Sequence, residues 1–126
     1  MKKTVLIADD DPLSLKLVRD VCTIAGYDVL TATNGQQAVE LAKAHKPGLI
    51  LLDIMMPVMD GYAAMSILKT TPETKDIPVI ILTAVAFEQN REQALKAGAN
   101  DYITKPINIK QLLSRIGQYF SPGGVK

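Results

Sequence analysis

The sequence is poor in the residues on which many site chemistries depend. It has one cysteine, Cys22, and one histidine, His45. A lone cysteine excludes an internal disulfide framework and a cysteine-based zinc site. Charge is balanced, with 14 basic and 13 acidic residues and a net of +1. There is therefore no bulk positive field for direct nucleic-acid binding and no polyanionic tail. No apolar run approaches the ~18 residues of a membrane span. The first apolar stretch, Val5 to Ala8, is too short for a secretory signal and is stopped by Asp9. Lipidation motifs are missing at both ends. Gly-rich nucleotide loops are missing as well: neither G-x-x-x-x-G-K-[ST] nor G-x-G-x-x-G occurs. These absences make a cytoplasmic location the expectation, and a single cysteine fits a reducing compartment.

What is present suits one domain. The chain has 126 residues, 48% of them hydrophobic, and a chain of this size hides roughly two-thirds of its unfolded surface around one core. Short apolar runs read as strands at Thr4–Ala8, Asp28–Ala32, Leu49–Leu52, Val79–Leu82 and Asp101–Thr104. Three of them (Val5 to Ile7, Leu49 to Leu52, Val79 to Leu82) are apolar throughout, as strands buried on both faces are. Helical patterns lie between. In the first, Leu13, Leu17, Val21 and Ile24 share a face with Val18, Cys22 and Ala25 beside it, and Gly26 stands where a C-terminal cap belongs. Asn34 can cap a second helix carrying Ala38, Leu41 and Ala42. Asp60-Gly61 precedes a third with Met65 and Leu68, and a fourth holds Ala94, Leu95 and Ala97 and ends at Gly98. Asn108 can cap a fifth, with Ile109, Leu112, Leu113, Ile116 and Phe120 inward. Strand then helix, five times over, implies an α/β fold whose parallel sheet is covered on both faces. One domain is expected over 1–120, with 121–126 as a flexible C-terminal tail.

In open sheets of this kind the site lies beyond the carboxyl ends of the strands. Asp9-Asp10-Asp11 follow the first strand, Asp53 the third, Thr83 and Ala84 the fourth, and Lys105-Pro106 the fifth. Two carboxylates ~5 Å apart repel by roughly 3 kcal/mol at an effective dielectric of ~20. A bound cation removes that cost. Hard oxygen donors without histidine or cysteine favour magnesium, or manganese, over zinc. A carboxylate, a divalent metal, a lysine and a hydroxyl make a phosphoryl-transfer site, in which aspartate is a competent nucleophile.

With those residues in place, the chain resembles the response-regulator receiver domains of two-component signalling, of the single-domain, chemotaxis-regulator-like kind. The resemblance runs from about Lys3 to Phe120. It rests on Val5-Leu6-Ile7-Ala8-Asp9-Asp10-Asp11-Pro12, on Leu51 to Gly61, on Ile80-Ile81-Leu82-Thr83-Ala84, and on Gly98 to Pro106. It implies a flavodoxin-like (βα)5 fold, a doubly wound sheet of order 2-1-3-4-5 with five helices. It implies that Asp53 is the phosphoacceptor for a phosphohistidine of a sensor kinase or phosphotransfer protein. Asp10 would be the direct Mg2+ ligand, Asp9 would help through water, and the Met55 backbone carbonyl would be the third protein ligand. Thr83 and Lys105 would engage the phosphoryl group, with Ala84 leaving room for Thr83. The Lys105-Pro106 bond is expected cis, and Tyr102 would be the aromatic switch. The phosphodonor would dock near Leu13, Ser14 and Leu17 and near Pro106-Ile107. An unknown output protein would read the face of the fourth helix, fifth strand and fifth helix, and a phosphorylation-dependent homodimer stays open. Such a domain is not an enzyme on a separate substrate; it catalyses its own phosphorylation and slow dephosphorylation. A stand-alone regulator is the expectation, with a receiver excised from a longer response regulator or hybrid histidine kinase as the alternative.

Blander roles fit other residues. Asp11, before Pro12, reads as the cap of the first helix. Cys22 reads as core, His45 as a cation near a helix C-terminus, and Gly61 and Gly98 as turn chemistry. The resemblance implies that the side chains two past Asp53 and Thr83, here Met55 and Val85, flank the path of attacking water; both are apolar and cannot orient it by hydrogen bonds, which predicts slow hydrolysis of a phosphorylated Asp53. An aspartyl phosphatase of the haloacid-dehalogenase type would need a second aspartate where Met55 stands. A flavin module would need a hydroxyl- and Gly-rich loop where Asp9-Asp10-Asp11 stands.

Overall fold

A computed structural model describes residues 3–54, 56, 58–84, 92–93 and 95–120. The elements run β1 (Thr4–Ala8), α1 (Pro12–Ile24), β2 (Asp28–Ala32), α2 (Gly35–His45), β3 (Leu49–Asp53), α3 (Gly61–Thr70), β4 (Val79–Thr83), β5 (Asp101–Thr104) and α4 (Ile109–Phe120). The five strands form one sheet of order β2-β1-β3-β4-β5, and every pairing is parallel. This is the doubly wound order expected. Successive side chains of a strand point to opposite faces, so the uninterrupted apolar runs serve two cores at once. Leu6, Ile50, Leu52, Val79 and Ile81 pack with Ala38, Ala42, Met65 and Leu68 on the α2–α3 side. Val5, Ile7, Leu49, Leu51, Ile80, Leu82 and Ile103 pack with Val18, Cys22, Leu112 and Ile116 on the α1–α4 side. Each such leucine or isoleucine contributes ~1.5–3 kcal/mol by leaving water.

The helix starts follow local chemistry. The Asp11 carboxylate accepts from the Leu13 N–H and Pro12 occupies the first turn. Asn34 accepts from the Gln37 N–H, Asp60 from the Ala63 N–H and Asn108 from the Gln111 N–H. α1 ends as expected at Gly26, whose φ of +98° suits a residue without a Cβ. The Tyr27 N–H reaches back to the Cys22 carbonyl and the Gly26 N–H to the Thr23 carbonyl, closing a Schellman turn.

Three expectations shift. α1 does not turn its Leu13–Ile24 stripe to the sheet: Val18 and Cys22 are buried, while Leu13 is 79% and Ile24 87% exposed. The inward face instead uses Val18 and Cys22 with Leu15 and Val21 partly packed, a stripe rotated about the helix axis, so α1 carries apolar residues on two faces. In α4, Leu112 and Ile116 are buried but Ile109 is 44% exposed, because it sits in the first turn, beyond the reach of the sheet. The expected fourth helix is described only near its end. Glu92, Gln93, Leu95 and Lys96 are helical and Gly98 turns the chain at φ +115°, whereas residues 85–91 and Ala94 lie outside the described residues. Among the described residues four helices are complete, against five expected. The tail at 121–126 also lies outside them, and no described helix is long and apolar enough to cross a membrane.

Candidate functional site

The strands are parallel, so their carboxyl ends gather at one edge of the sheet. β3 and β4 each run one residue further than their apolar runs suggest. Asp53 is therefore still paired, opposite Leu82, and Thr83 opposite Thr104. β1 is prolonged in the same way by the Asp9 N–H, which donates to the Ala32 carbonyl at 3.0 Å. A side chain at the last paired position of a strand has a fixed backbone, and Asp9, Asp53 and Thr83 are all buried, at 1%, 5% and 0% exposure. Asp10, one residue on, is exposed.

Asp9, Asp10 and Asp53 each offer one carboxylate oxygen, and these oxygens lie within 4.8 Å of one another. Lys105 reaches into the cluster from the end of β5. Its Nζ donates to Asp9 Oδ2 at 2.8 Å and to Asp53 Oδ2 at 3.0 Å. The lysine is aimed by its backbone: its N–H donates to the Thr83 carbonyl at 2.6 Å, and the Lys105-Pro106 peptide is cis, as expected. Burial opposes the charged ammonium, but hydrogen bonds and charge from Asp9 and Asp53 outweigh it, and the Lys105 pKa is raised. Asp9 Oδ1 accepts from the Asp11 N–H at 2.9 Å, which fixes that carboxylate on its other side.

Asp11 itself turns away from the cluster. It accepts from Ser14 Oγ and the Leu13 N–H, and those two bonds hold its carboxyl below the usual value. Its role is the cap, as the sequence suggested. Tyr102 is half-buried on the α2–α3 side of the sheet. Ala84 is exposed directly after Thr83. Met55 and Val85 lie outside the described residues, so neither the expected carbonyl ligand nor the expected water-path residue is placed. How the loop after Asp53 is held has no local signal in the sequence. Gly61 reads as a turn glycine, yet a Cβ there would overlap the Asp53 carbonyl oxygen and come within 2.7 Å of Ile54 Cα.

One ammonium among three carboxylates leaves the cluster short of positive charge, and every donor is a hard oxygen. That donor set fits magnesium or manganese and not zinc. The matching family is the response regulator receiver domain, over residues 5–117. The chain belongs to that family. It is thereby a module of two-component signalling. It is 38% identical over 119 residues to the polar-differentiation response regulator DivK of Brucella anthropi, across 94% of this chain and 97% of that one. The receiver domain of a sensor histidine kinase from Pseudomonas aeruginosa, solved with a magnesium ion coordinated in its active-site cleft, superposes with a TM-score of 0.88 at 31% identity. That match covers 94% of this chain and 98% of the other. A chain of the CheX–CheY–BeF3–Mg2+ complex of Borrelia burgdorferi matches with a TM-score of 0.88 at 32% identity, over 98% of this receiver and 90% of its own length.

Proposed function

We propose that this receiver takes a phosphoryl group onto Asp53 from a phosphohistidine of a sensor kinase or phosphotransfer protein, and signals by changing a surface that a partner reads. The observation that carries this reading is the Lys105 ammonium bridging Asp9 and Asp53 beside a cluster of three carboxylates. Asp9, Asp10 and Asp53 would hold Mg2+, joined by the Met55 carbonyl if that residue presents it. The ion, when bound, neutralises charge on the oxygens of the transferring group.

The chain's own residues do the rest. An Asp53 carboxylate oxygen attacks phosphorus, the P–N bond to the donor imidazole breaks, and the leaving nitrogen takes a proton from solvent. The product is an acyl phosphate on Asp53. Lys105 follows the new charge: Asp53 Oδ2 loses negative character on phosphorylation, so the ammonium moves from it to a phosphoryl oxygen while Asp9 keeps its other bond. The Thr83 hydroxyl donates to a second phosphoryl oxygen, with Ala84 giving it room. Tyr102 turns inward after it, and the face formed by the helix that ends at Gly98, β5 and α4 changes. A local charge biasing a two-state surface is the physical content.

The donor docks beside α1, where Leu13 and Leu17 are 79% and 41% exposed, and beside Pro106 and Ile107. The domain spans 1–120 and acts as a stand-alone cytoplasmic regulator, with a receiver module of a longer response regulator or hybrid kinase as the second reading. It turns over no separate substrate beyond its own phosphorylation and slow dephosphorylation. Whether it pairs with itself on phosphorylation is read by the same material. The test is incubation with acetyl phosphate and Mg2+. Acid-labile phosphate is expected on the wild-type chain and absent from Asp53→Asn; incorporation at the wild-type rate in that variant would remove Asp53 as acceptor.

A further inference from the structure

The loop between β3 and α3 follows Asp53 directly, and two glycines, Gly61 and Gly35, hold it. At its far end the Gly61 N–H donates to the Ile54 carbonyl at 2.8 Å. Gly61 lies so close under Asp53 that any Cβ would overlap the Asp53 carbonyl oxygen. Nearer the tip, the hold comes from a different element. Gly35, the first residue of α2, donates its N–H to the Met59 carbonyl at 2.9 Å. A Cβ on Gly35 would overlap that carbonyl oxygen and fall 2.9 Å from its carbon and 3.0 Å from Met59 Cβ. The obstacle is backbone, so no side-chain rotation relieves it.

The brace is itself rigid. Asn34 caps α2 through the Gln37 N–H at 2.8 Å, and Gly35 is buried between the two elements. Met59 is anchored by its half-buried side chain on the α2–α3 core. Beside it Val58 has a φ of 67°, a left-handed conformation that a β-branched residue adopts only where its surroundings impose it. Val58 is 84% exposed, so its own packing does not impose it. The Met59 carbonyl next to it is held by the Gly35 N–H.

From this we infer that Gly35 is a positioning residue for the Asp53 reaction, setting the β3–α3 loop, and through it the phosphoacceptor, from the N-terminus of α2. The inference rests on the reading of Asp53 as phosphoacceptor. Adding a single carbon at position 35 pushes Met59 away, and the displacement passes through Asp60 and Gly61 to the backbone of Asp53. Reactions that depend on positioning are sensitive to such shifts, about a hundredfold for a displacement of ~1 Å.

The test is Gly35→Ala in the full chain, compared with Gly48→Ala. Gly48 lies at the opposite end of β3, and its Cβ would overlap Cε1 of the Phe120 ring, a side chain and not backbone. Both variants lower the melting temperature. At saturating Mg2+, acetyl phosphate should label Gly35→Ala about tenfold or more slowly than wild type, and Gly48→Ala at the wild-type rate. Equal rates for wild type and Gly35→Ala, or equal losses in the two variants, overturn the inference. If Gly35→Ala does not fold, the wild-type chain decides by NMR. On Mg2+ titration the Gly35 amide resonance should move with the same midpoint as that of Asp53, while the Gly48 amide stays still. A Gly35 resonance that does not move with that of Asp53 overturns the inference. A wild-type chain that takes no phosphate on Asp53 overturns the reading of the site and the inference with it, a result distinct from the others.

Discussion

The Lys105 ammonium and the Asp9 carboxylate meet at 2.8 Å across 96 positions of sequence, with 17% and 1% of their side chains exposed. The same Nζ holds Asp53 at 3.0 Å. Removing a partner from a buried pair leaves the other charge uncompensated. Lys105→Met should therefore destabilise the chain by about 2–4 kcal/mol in the absence of divalent cation. Because a cation can replace the lost charge, millimolar Mg2+ should restore more stability to Lys105→Met than it adds to wild type. Urea unfolding with and without Mg2+ measures both, and no added stability in either chain would count against the cluster as a cation site.

The pH dependence of that lysine has a defined sign. Its folded pKa is raised above the ordinary 10.5, so its contribution is complete below that value and is lost as pH rises through the folded one. Wild type and Lys105→Met should converge in stability above pH 10.5. Cys22 behaves alike for a different reason: burial pushes its thiol from 9.0 up to about 11. Below pH 9 the protonated thiol costs nothing extra, and between pH 9 and 11 the unfolded chain ionises first, so stability falls. Cys22→Ala, although weakened overall by its cavity, should lack that component of the alkaline slope in melting temperature.

Two glycines separate strain from collision. Gly26 has a φ of +98° and nothing within 4 Å of an added Cβ, so Gly26→Ala should cost about 1–2 kcal/mol from the backbone alone. Gly61 has no such φ, and its Cβ would meet the backbone of Asp53 and Ile54. Gly61→Ala should cost about 1–3 kcal/mol and also slow labelling by acetyl phosphate, which Gly26→Ala should leave unchanged. Equilibrium unfolding and labelling rates on the same preparations give the comparison.

The exposed stripe of α1 divides docking from chemistry. Leu13→Glu replaces a side chain that is 79% exposed, so stability should change by no more than about 0.5 kcal/mol. Labelling by acetyl phosphate should match wild type. Transfer from a cognate phosphohistidine protein should slow about tenfold or more, as loss of an interface anchor does. Slowing with both donors would place Leu13 in the site and not at a docking surface.

Asn100 predicts a purely structural loss. Its Oδ1 accepts from the Val79 N–H at 2.9 Å and from Lys69 Nζ at 3.2 Å, so Asn100→Ala strands a donor at the start of β4. A cost of about 1–3 kcal/mol in unfolding free energy is expected, with labelling of Asp53 unaffected.

The periodicity of the sequence determined the architecture by itself. Runs such as Leu49 to Leu52 suit burial on both faces, and their alternation with helical patterns points to a parallel sheet between two helix layers. The polar residues that stop those runs determined which side chains would gather, since all strand ends share an edge. The caps at Asp11, Asn34 and Asn108 were equally local, each set by one side chain and an N–H two or three residues on. Tertiary structure decided what depends on rotation and on distance. Which stripe of α1 faces the sheet could not be read, because apolar residues lie on two of its faces and only packing chooses between Leu13 and Val18. That Asp9 is enclosed and Asp10 exposed depends on how far β1 continues its pairing with β2. The contacts of Gly35 with Met59 and of Gly61 with Asp53 were hidden for the same reason. A glycine's local signal is a turn, and only the approach of another backbone shows that the missing Cβ is what lets the phosphoacceptor loop close.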